Sequence, residues 1–317
     1  MPENWRPCLG HEGQRFRAEL LVKIRRFMQE RQIMEVDTPA LSRAGVPDPN
    51  ISSVTATLSS HGGAQSFYLH TSPEFCMKRL LASGSGAIYQ IAKVFRDDEI
   101  GRLHQAEFSM LEWYRPDYDH HALMDELSEL LSVLGLPTAD RRTYESVFLN
   151  YLDINPHSAS TSELQSLASS LGLYEQSDDR SLLLEFLFSH SVAPRLGLNK
   201  PLILFDYPAS QAALARLSEL EPEKAERFEL FINGIELANG FHELCDANEQ
   251  RQRFEKENQQ RGRRGLSEVP IDEQFLSALQ AGLPDCSGVA LGLDRLLMVL
   301  SGKEHINDVM TFPQVDA

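Results

Sequence analysis

Basic residues are scarce in this chain. Lys and Arg number 30 against 46 Asp and Glu, which gives a net charge of −16 at pH 7 and a pI near 5.1. Affinity for nucleic acid comes largely from Lys and Arg neutralising phosphates, so this charge argues against a surface built to grip a polyanion. Local basic pockets stay open. Cysteine is also rare: Cys8, Cys76, Cys245 and Cys286 form no CxxC pair and no metal-ligand spacing, which points to free thiols in a reducing compartment. Cys8 with His11, and the adjacent His120 and His121, lack a second ligand pair nearby in sequence and read as surface groups. No stretch reaches the ~18 apolar residues that span a bilayer, and the N-terminal MPENWRPCLG lacks a basic-plus-apolar signal. The expectation is a cytoplasmic protein with no membrane partner.

What is present is concentrated in VFRDDEIGRLHQAEFSMLEWYR, residues 94–115. Ala87 to Phe95 is apolar and β-branched, Arg96 to Ala106 is a polar loop carrying Arg96, Arg102 and His104, and the exit run ends in aromatics. Strict alternation on that exit strand places Phe108, Met110, Glu112 and Tyr114 on one face. Two readings fit: a half-buried hairpin with solvated arginines, or a nucleotide cradle with an arginine for phosphate and an aromatic ring for the base.

Around this segment, Phe16, Leu20, Leu21, Ile24, Phe27 and Met28 recur at helical spacing and predict an amphipathic helix over Arg15 to Met34. Residues 42–53 read as loop, followed by strands near 54–58 and 67–69. In HTSPEFCMKRLLASG, Thr71 or Ser72 caps a helix with Pro73 in its first position and Glu74 favoured by the helix dipole. Between about 117 and 222 the pattern is a helical insertion with runs near 123–134, 161–171 and 181–188 and one strand at 202–205. A strongly charged helix is expected from about Cys245 to Gln260.

A second constellation lies in RFELFINGIELANGFHEL. Asn233-Gly234 between apolar runs is a strong two-residue hairpin signal. It pairs Ile232 with Ile235 and Phe231 with Glu236, leaving Glu229 and Glu236 as diagonal neighbours on one face, about 7–8 Å apart. Two carboxylates that close either lie exposed or share a cation, and hard oxygen ligands suit Mg²⁺ carrying nucleotide phosphates. In strict alternation Asn239 and Glu243 face the other way, so a bulge at Asn239-Gly240 is expected if they join the same face. Near the C-terminus, SGVALGLDRLLMVL reads as a small-residue strand entering a helix with Arg295 in its first turn. Taken alone, that pattern fits core packing equally well.

These segments in order resemble the three motifs of the class II aminoacyl-tRNA synthetases. FMQERQIMEVDTPAL is similar to motif 1, the loop with Phe95, Arg96, His104, Glu107 and Phe108 to motif 2, and Ser287 to Leu300 to motif 3. The resemblance implies an α+β fold: the class II catalytic core, a mixed and mainly antiparallel sheet flanked by helices. It implies one domain over 1–317, without an anticodon-binding domain, and a homodimer built on the motif 1 helix, although the periodicity of that helix fits simple core packing too. It also implies ATP and Mg²⁺, with Arg96, His104 and Arg295 catalytic. Arg96, Asp98, His104, Gln105, Phe108, Glu229, Gly292 and Arg295 would bind ATP, and Glu229 and Glu236 the metal. The amino acid would be read by Ser72, Glu74, Tyr114, Asn239, Phe241, Glu243 and Ala290, of which Glu74 also serves simply as a first-turn acid.

The reaction so implied is attack of a carboxylate on the α-phosphorus of ATP, by positioning and charge stabilisation without a protein nucleophile. The helix leading into motif 1 begins almost at residue 11, whereas lysyl-tRNA synthetases carry an oligonucleotide-binding barrel before their catalytic core. The resemblance therefore narrows to truncated lysyl-tRNA synthetase paralogues that join lysine or β-lysine to a lysine side chain of elongation factor P, with no tRNA expected. Ala290 stands where lysine-specific synthetases usually have glycine, and its methyl would disfavour an α-amino acid pose. Aspartate at 98 and Gln105-Ala106 depart from the motif 2 pattern, which leaves the contact at 98 to water or to Glu99. A lysyl-tRNA-charging enzyme with a minimal core and an inactive regulatory paralogue are the two alternatives.

Overall fold

The computed structural model describes residues 5–60, 63–97, 100–173 and 176–313. Along the chain come α1 (His11–Glu30), β1 (Met34–Glu35), β2 (Leu41–Ser42), β3 (Thr55–Ser60), β4 (Gly63–Leu69), α2 (Glu74–Ala82), β5 (Ile88–Phe95) and β6 (Glu107–Pro116). Next are α3 (His120–Val133), β7 (Asp140–Thr143), α4 (Tyr144–Leu152), α5 (Thr161–Ser170), α6 (Arg180–Leu187), β8 (Leu202–Pro208), β9 (Lys224–Ile232) and β10 (Ile235–His242). The chain closes with α7 (Ala247–Arg263), α8 (Glu273–Gly282), β11 (Cys286–Gly292) and α9 (Leu293–Ser301). Two compact units result, Met1–Asp117 with Leu244–Ala317, and Tyr118–Glu243.

In the first unit β5, β6 and β11 pair antiparallel and β1 joins β5 in parallel, while β2, β4 and β3 form a separate antiparallel sheet. Leu20, Ile24, Phe27 and Met28 of α1 are buried as their spacing predicts, whereas Leu21 is half-buried and Phe16 exposed. The helix begins at His11 and stops at Arg31, where Gln32 takes a left-handed φ of 57° and frees Met34 and Glu35 to become strand. At α2 the start is one residue later than expected. Pro73 is the cap residue, and the Ser72 hydroxyl accepts the Glu74 N–H at 3.0 Å from outside the helix.

The second unit pairs β10 with β9 and β9 with β8 antiparallel, and β8 with β7 in parallel. The insertion helices α4, α5 and α6 close over β8 and β9 through a core of Tyr144, Phe148, Leu164, Leu183, Leu184, Leu187, Leu204 and Phe231. Asp119 caps α3 by accepting the Ala122 N–H. Both units are α+β with mixed, mainly antiparallel sheets. Among the described residues no helix is long and apolar enough to cross a membrane.

One contact in the first unit ties α1, β6 and α9 together. Asp294, in the first turn of α9, accepts the buried Ser109 N–H of β6 at 2.6 Å and the Arg17 guanidinium of α1 at 2.6 Å. Arg17 also donates to the Ser109 hydroxyl at 2.8 Å. Sequence reading gave none of these three residues a role.

Candidate active site

Phe95 pairs with Glu107 and the Arg96 N–H donates to Ala106 O, so the polar loop leaves the sheet at Arg96. Strand pairing puts Val94 opposite Phe108, and the Arg96 guanidinium lies 5.2 Å from the centre of the Phe108 ring. A cation at this distance from an aromatic ring is attracted to its π electrons. Across the loop, Arg295 of α9 donates from Nη2 to His104 Nε2 at 2.8 Å and from Nε to Leu103 O at 3.2 Å. Arginine only donates, so His104 must accept at Nε2 and carry its proton on Nδ1. Gln105 is buried and donates to Asn307 Oδ1 at 2.7 Å, while Arg102 O accepts the Ile306 N–H. Gln105 thus anchors the loop to the segment after α9. Asp98, expected to bind ATP, lies outside the described residues.

The face predicted by alternation exists, and its centre is a residue absent from the expected site set. Glu112 is 2% exposed and accepts the Ser72 hydroxyl at 2.6 Å and the Tyr114 hydroxyl at 2.7 Å. Burial, and then the charge of Glu74, push its carboxyl up to about 7 against the pull of Ser72 and Tyr114. Glu74 is paired at 2.6 Å with Lys78, which is fully buried. Ser72, Glu74 and Tyr114 therefore surround one buried carboxyl group, and their common partner was legible as the residue between Met110 and Tyr114 on the same face. Ala290 pairs with Glu112 across β11 and β6, and its methyl packs with Phe108 against Ala92, Val94 and Met110. Gly292 pairs with Met110 and caps the start of α9, where backbone N–H groups favour an anion.

In the second unit the hairpin turns at Asn233 and Gly234 with φ of 54° and 73°, and Ile232 pairs with Ile235 and Phe231 with Glu236, as expected. The bulge falls elsewhere than expected: register shifts between Glu236 and Ala238, not at Asn239-Gly240. Asn239 consequently faces Glu229, and Gly240 lies against the ring of Phe228, where an added Cβ would come within 2.2 Å of it. The tight packing at Gly240 is used to seat Phe228 and not to bend the strand.

With the shift at 237, Glu229, Glu236 and Asn239 share a face. Glu229 is buried, accepts Tyr207 OH at 2.7 Å and is held by Arg227, which also donates to Asn239 Oδ1 at 3.1 Å. Burial and then Glu236 push the Glu229 carboxyl up to about 7, opposed by Arg227 and Tyr207. Such a pair is eased by a divalent cation, so the donor set fits Mg²⁺. Phe241 is buried with Arg227 6.0 Å from its ring, and Glu243 is 1% exposed with its backbone carbonyl accepting from Arg216. Arg227 and Tyr207 were missed, although Arg227 stands two residues from Glu229 and so on its face.

The family of class II tRNA synthetases (D, K and N) matches residues 11–316, and the chain belongs to it. Its relatives include proteins named elongation factor P–(R)-β-lysine ligase. That of Vibrio parahaemolyticus is 50% identical over 320 residues, 99% of each chain. Those of Proteus mirabilis and Haemophilus influenzae are 48% identical over 316 and 313 residues, each covering 98% of this chain and 97% of the relative.

Proposed function

We propose that this protein activates lysine or β-lysine with ATP and transfers it to a lysine side chain of elongation factor P. The observation that carries the reading is the pairing of Arg295 of α9 with His104 in the loop from Arg96 to Ala106, with Arg96 over the Phe108 ring. It supports two guanidinium groups serving one nucleotide-binding loop. In the first step a carboxylate oxygen of the amino acid attacks the α-phosphorus and pyrophosphate leaves. Arg96 and Arg295 stabilise the charge that develops, His104 holds Arg295 in place, and Phe108 stacks the adenine. Glu229 and Glu236 would hold Mg²⁺, which neutralises phosphate charge when bound. In the second step the acceptor amine attacks the adenylate carbonyl, an amide forms and AMP leaves. The names of relatives that match nearly end to end support this acceptor. The reading includes a cytoplasmic homodimer that does not require tRNA. The resemblance of the α1 segment to the motif 1 helix supports the dimer.

Incubation with ATP, β-lysine and elongation factor P is expected to add one β-lysyl mass to that protein. Formation of lysyl-tRNA with no mass gain on elongation factor P would overturn the proposal.

Glu112, with Glu74, would receive an ammonium group of the amino acid, and only the ionised carboxylate does so well. Because burial holds the Glu112 carboxyl near 7, KM for the amino acid is expected to fall as pH rises through about 6–8. The same shift has the opposite sign for the empty fold. Folded Glu112 keeps a proton that an unfolded carboxyl, near 4.5, releases, so ligand-free stability declines as pH rises from about 4.5 through about 7. Glu112→Gln should flatten both profiles and weaken amino-acid binding, measured by exchange kinetics and by urea midpoints across pH. An unchanged KM profile in that variant would remove Glu112 from the site.

A further inference from the structure

On the other face of the β9–β10 ribbon lies a second group of ligand atoms. Glu226 and His242 flank the paired residues Arg227 and Phe241, so by alternation they point away from Glu229 and Asn239. His242 Nδ1 and Glu226 Oε2 are hydrogen-bonded, and His120 Nδ1, from the first residue of α3, lies 3.8 Å from the same oxygen. One ligand atom from each of the three residues falls within 4.8 Å of the others.

His120 is not the surface group its sequence context suggests. It is 5% exposed, and neither ring nitrogen has a hydrogen-bond partner among the described residues. Buried imidazole nitrogens are normally satisfied, so this one asks for a ligand. Its neighbour His121 is exposed and packs on it with ring centres 4.2 Å apart and the planes tilted by 33°.

The far side of the ring is also arranged. Asp206 Oδ1 lies 4.0 Å from His120 Nε2. Asp206 has a left-handed φ of 60° and sits where β8 slips register against β9, a bulge of the kind that re-aims a side chain. A metal-ligating histidine commonly gives its second N–H to a carboxylate, and Asp206 is placed to receive it.

We propose that His120, His242 and Glu226 bind a zinc ion, oriented by Asp206, which fastens the start of α3 to β9 and β10. Two imidazoles and a carboxylate are a borderline N/O donor set suited to Zn²⁺. With bonds of about 2.0–2.1 Å, tetrahedral donors stand about 3.4 Å apart, so the hydrogen-bonded His242 and Glu226 open to admit the ion while His120, 3.8 Å from Glu226 Oε2, moves in. The proton between His242 and Glu226 leaves as the ion enters.

Untagged protein stripped with a chelator and titrated with Co²⁺ tests this. One equivalent per chain should give the visible d–d bands of a four-coordinate N/O site and raise the melting temperature. Both should persist in Glu229→Gln, and both should be lost in His120→Asn and His242→Asn. Asp206→Asn should bind about 10–100-fold more weakly. Wild-type protein that shows no such bands and retains no zinc by elemental analysis overturns the proposal, whether or not the histidine variants fold. So do bands that survive in folded His120→Asn, or that disappear in Glu229→Gln.

Discussion

Arg96→Ala is expected to lose about 10³-fold in amino-acid-dependent pyrophosphate exchange, about 4 kcal/mol of transition-state stabilisation, with little change in melting temperature. The guanidinium rests on the Phe108 ring and fills no core position, while the backbone N–H that closes the loop on Ala106 remains in the variant. Activity and stability therefore separate at this residue. Arg96→Lys should recover only part of the loss, because an ammonium keeps the charge but neither the planar fork nor the stacking. Single-turnover adenylate formation is the measurement. A variant within tenfold of wild type would deny Arg96 its role at the reacting phosphate.

Asp294→Ala separates the same quantities in the opposite order. It is expected to cost about 3 kcal/mol of folding stability, because it leaves the buried Ser109 N–H and the Arg17 guanidinium without their carboxylate. Arg17 keeps 21% of its side chain exposed, which places the loss at the lower end for a broken ion pair. Against a total of about 5–15 kcal/mol the change is large. Asp294→Asn retains an acceptor for Ser109 and should lie between alanine and wild type. Urea midpoints decide it, and a loss under about 1 kcal/mol for alanine would show that the clasp adds little.

Local rules made much of this architecture legible. Asn233-Gly234 announced its turn, the spacing of Leu20, Ile24, Phe27 and Met28 announced α1, and alternation placed Phe108, Met110, Glu112 and Tyr114 together. What escaped has one physical character: it depends on contacts between residues far apart in the chain, or on a single-residue slip. The Arg17–Asp294 pair spans 277 positions. Glu112 gains its meaning from Ser72, 40 residues away. His120 looked like half of an exposed histidine pair because nothing local indicates that Glu226 and His242 come to it. The bulge was required by the chemistry assigned to Asn239, but its location followed from the packing of Gly240 on Phe228, which no local pattern encodes.

That slip makes the hairpin a two-sided element whose sides are told apart only by parity. Before Leu237 one face carries Glu236, and after it the same face carries Asn239 and Phe241, while His242 falls to the reverse. Straightening the bulge without losing a residue would restore strict alternation from Glu236, turn Asn239 and Phe241 to the reverse side and bring His242 toward Glu229. The ribbon can tolerate many substitutions along its length, yet between Ala238 and His242 its length is itself a functional constraint: with the bulge kept, gaining or losing one residue there would exchange the two faces for every residue beyond it.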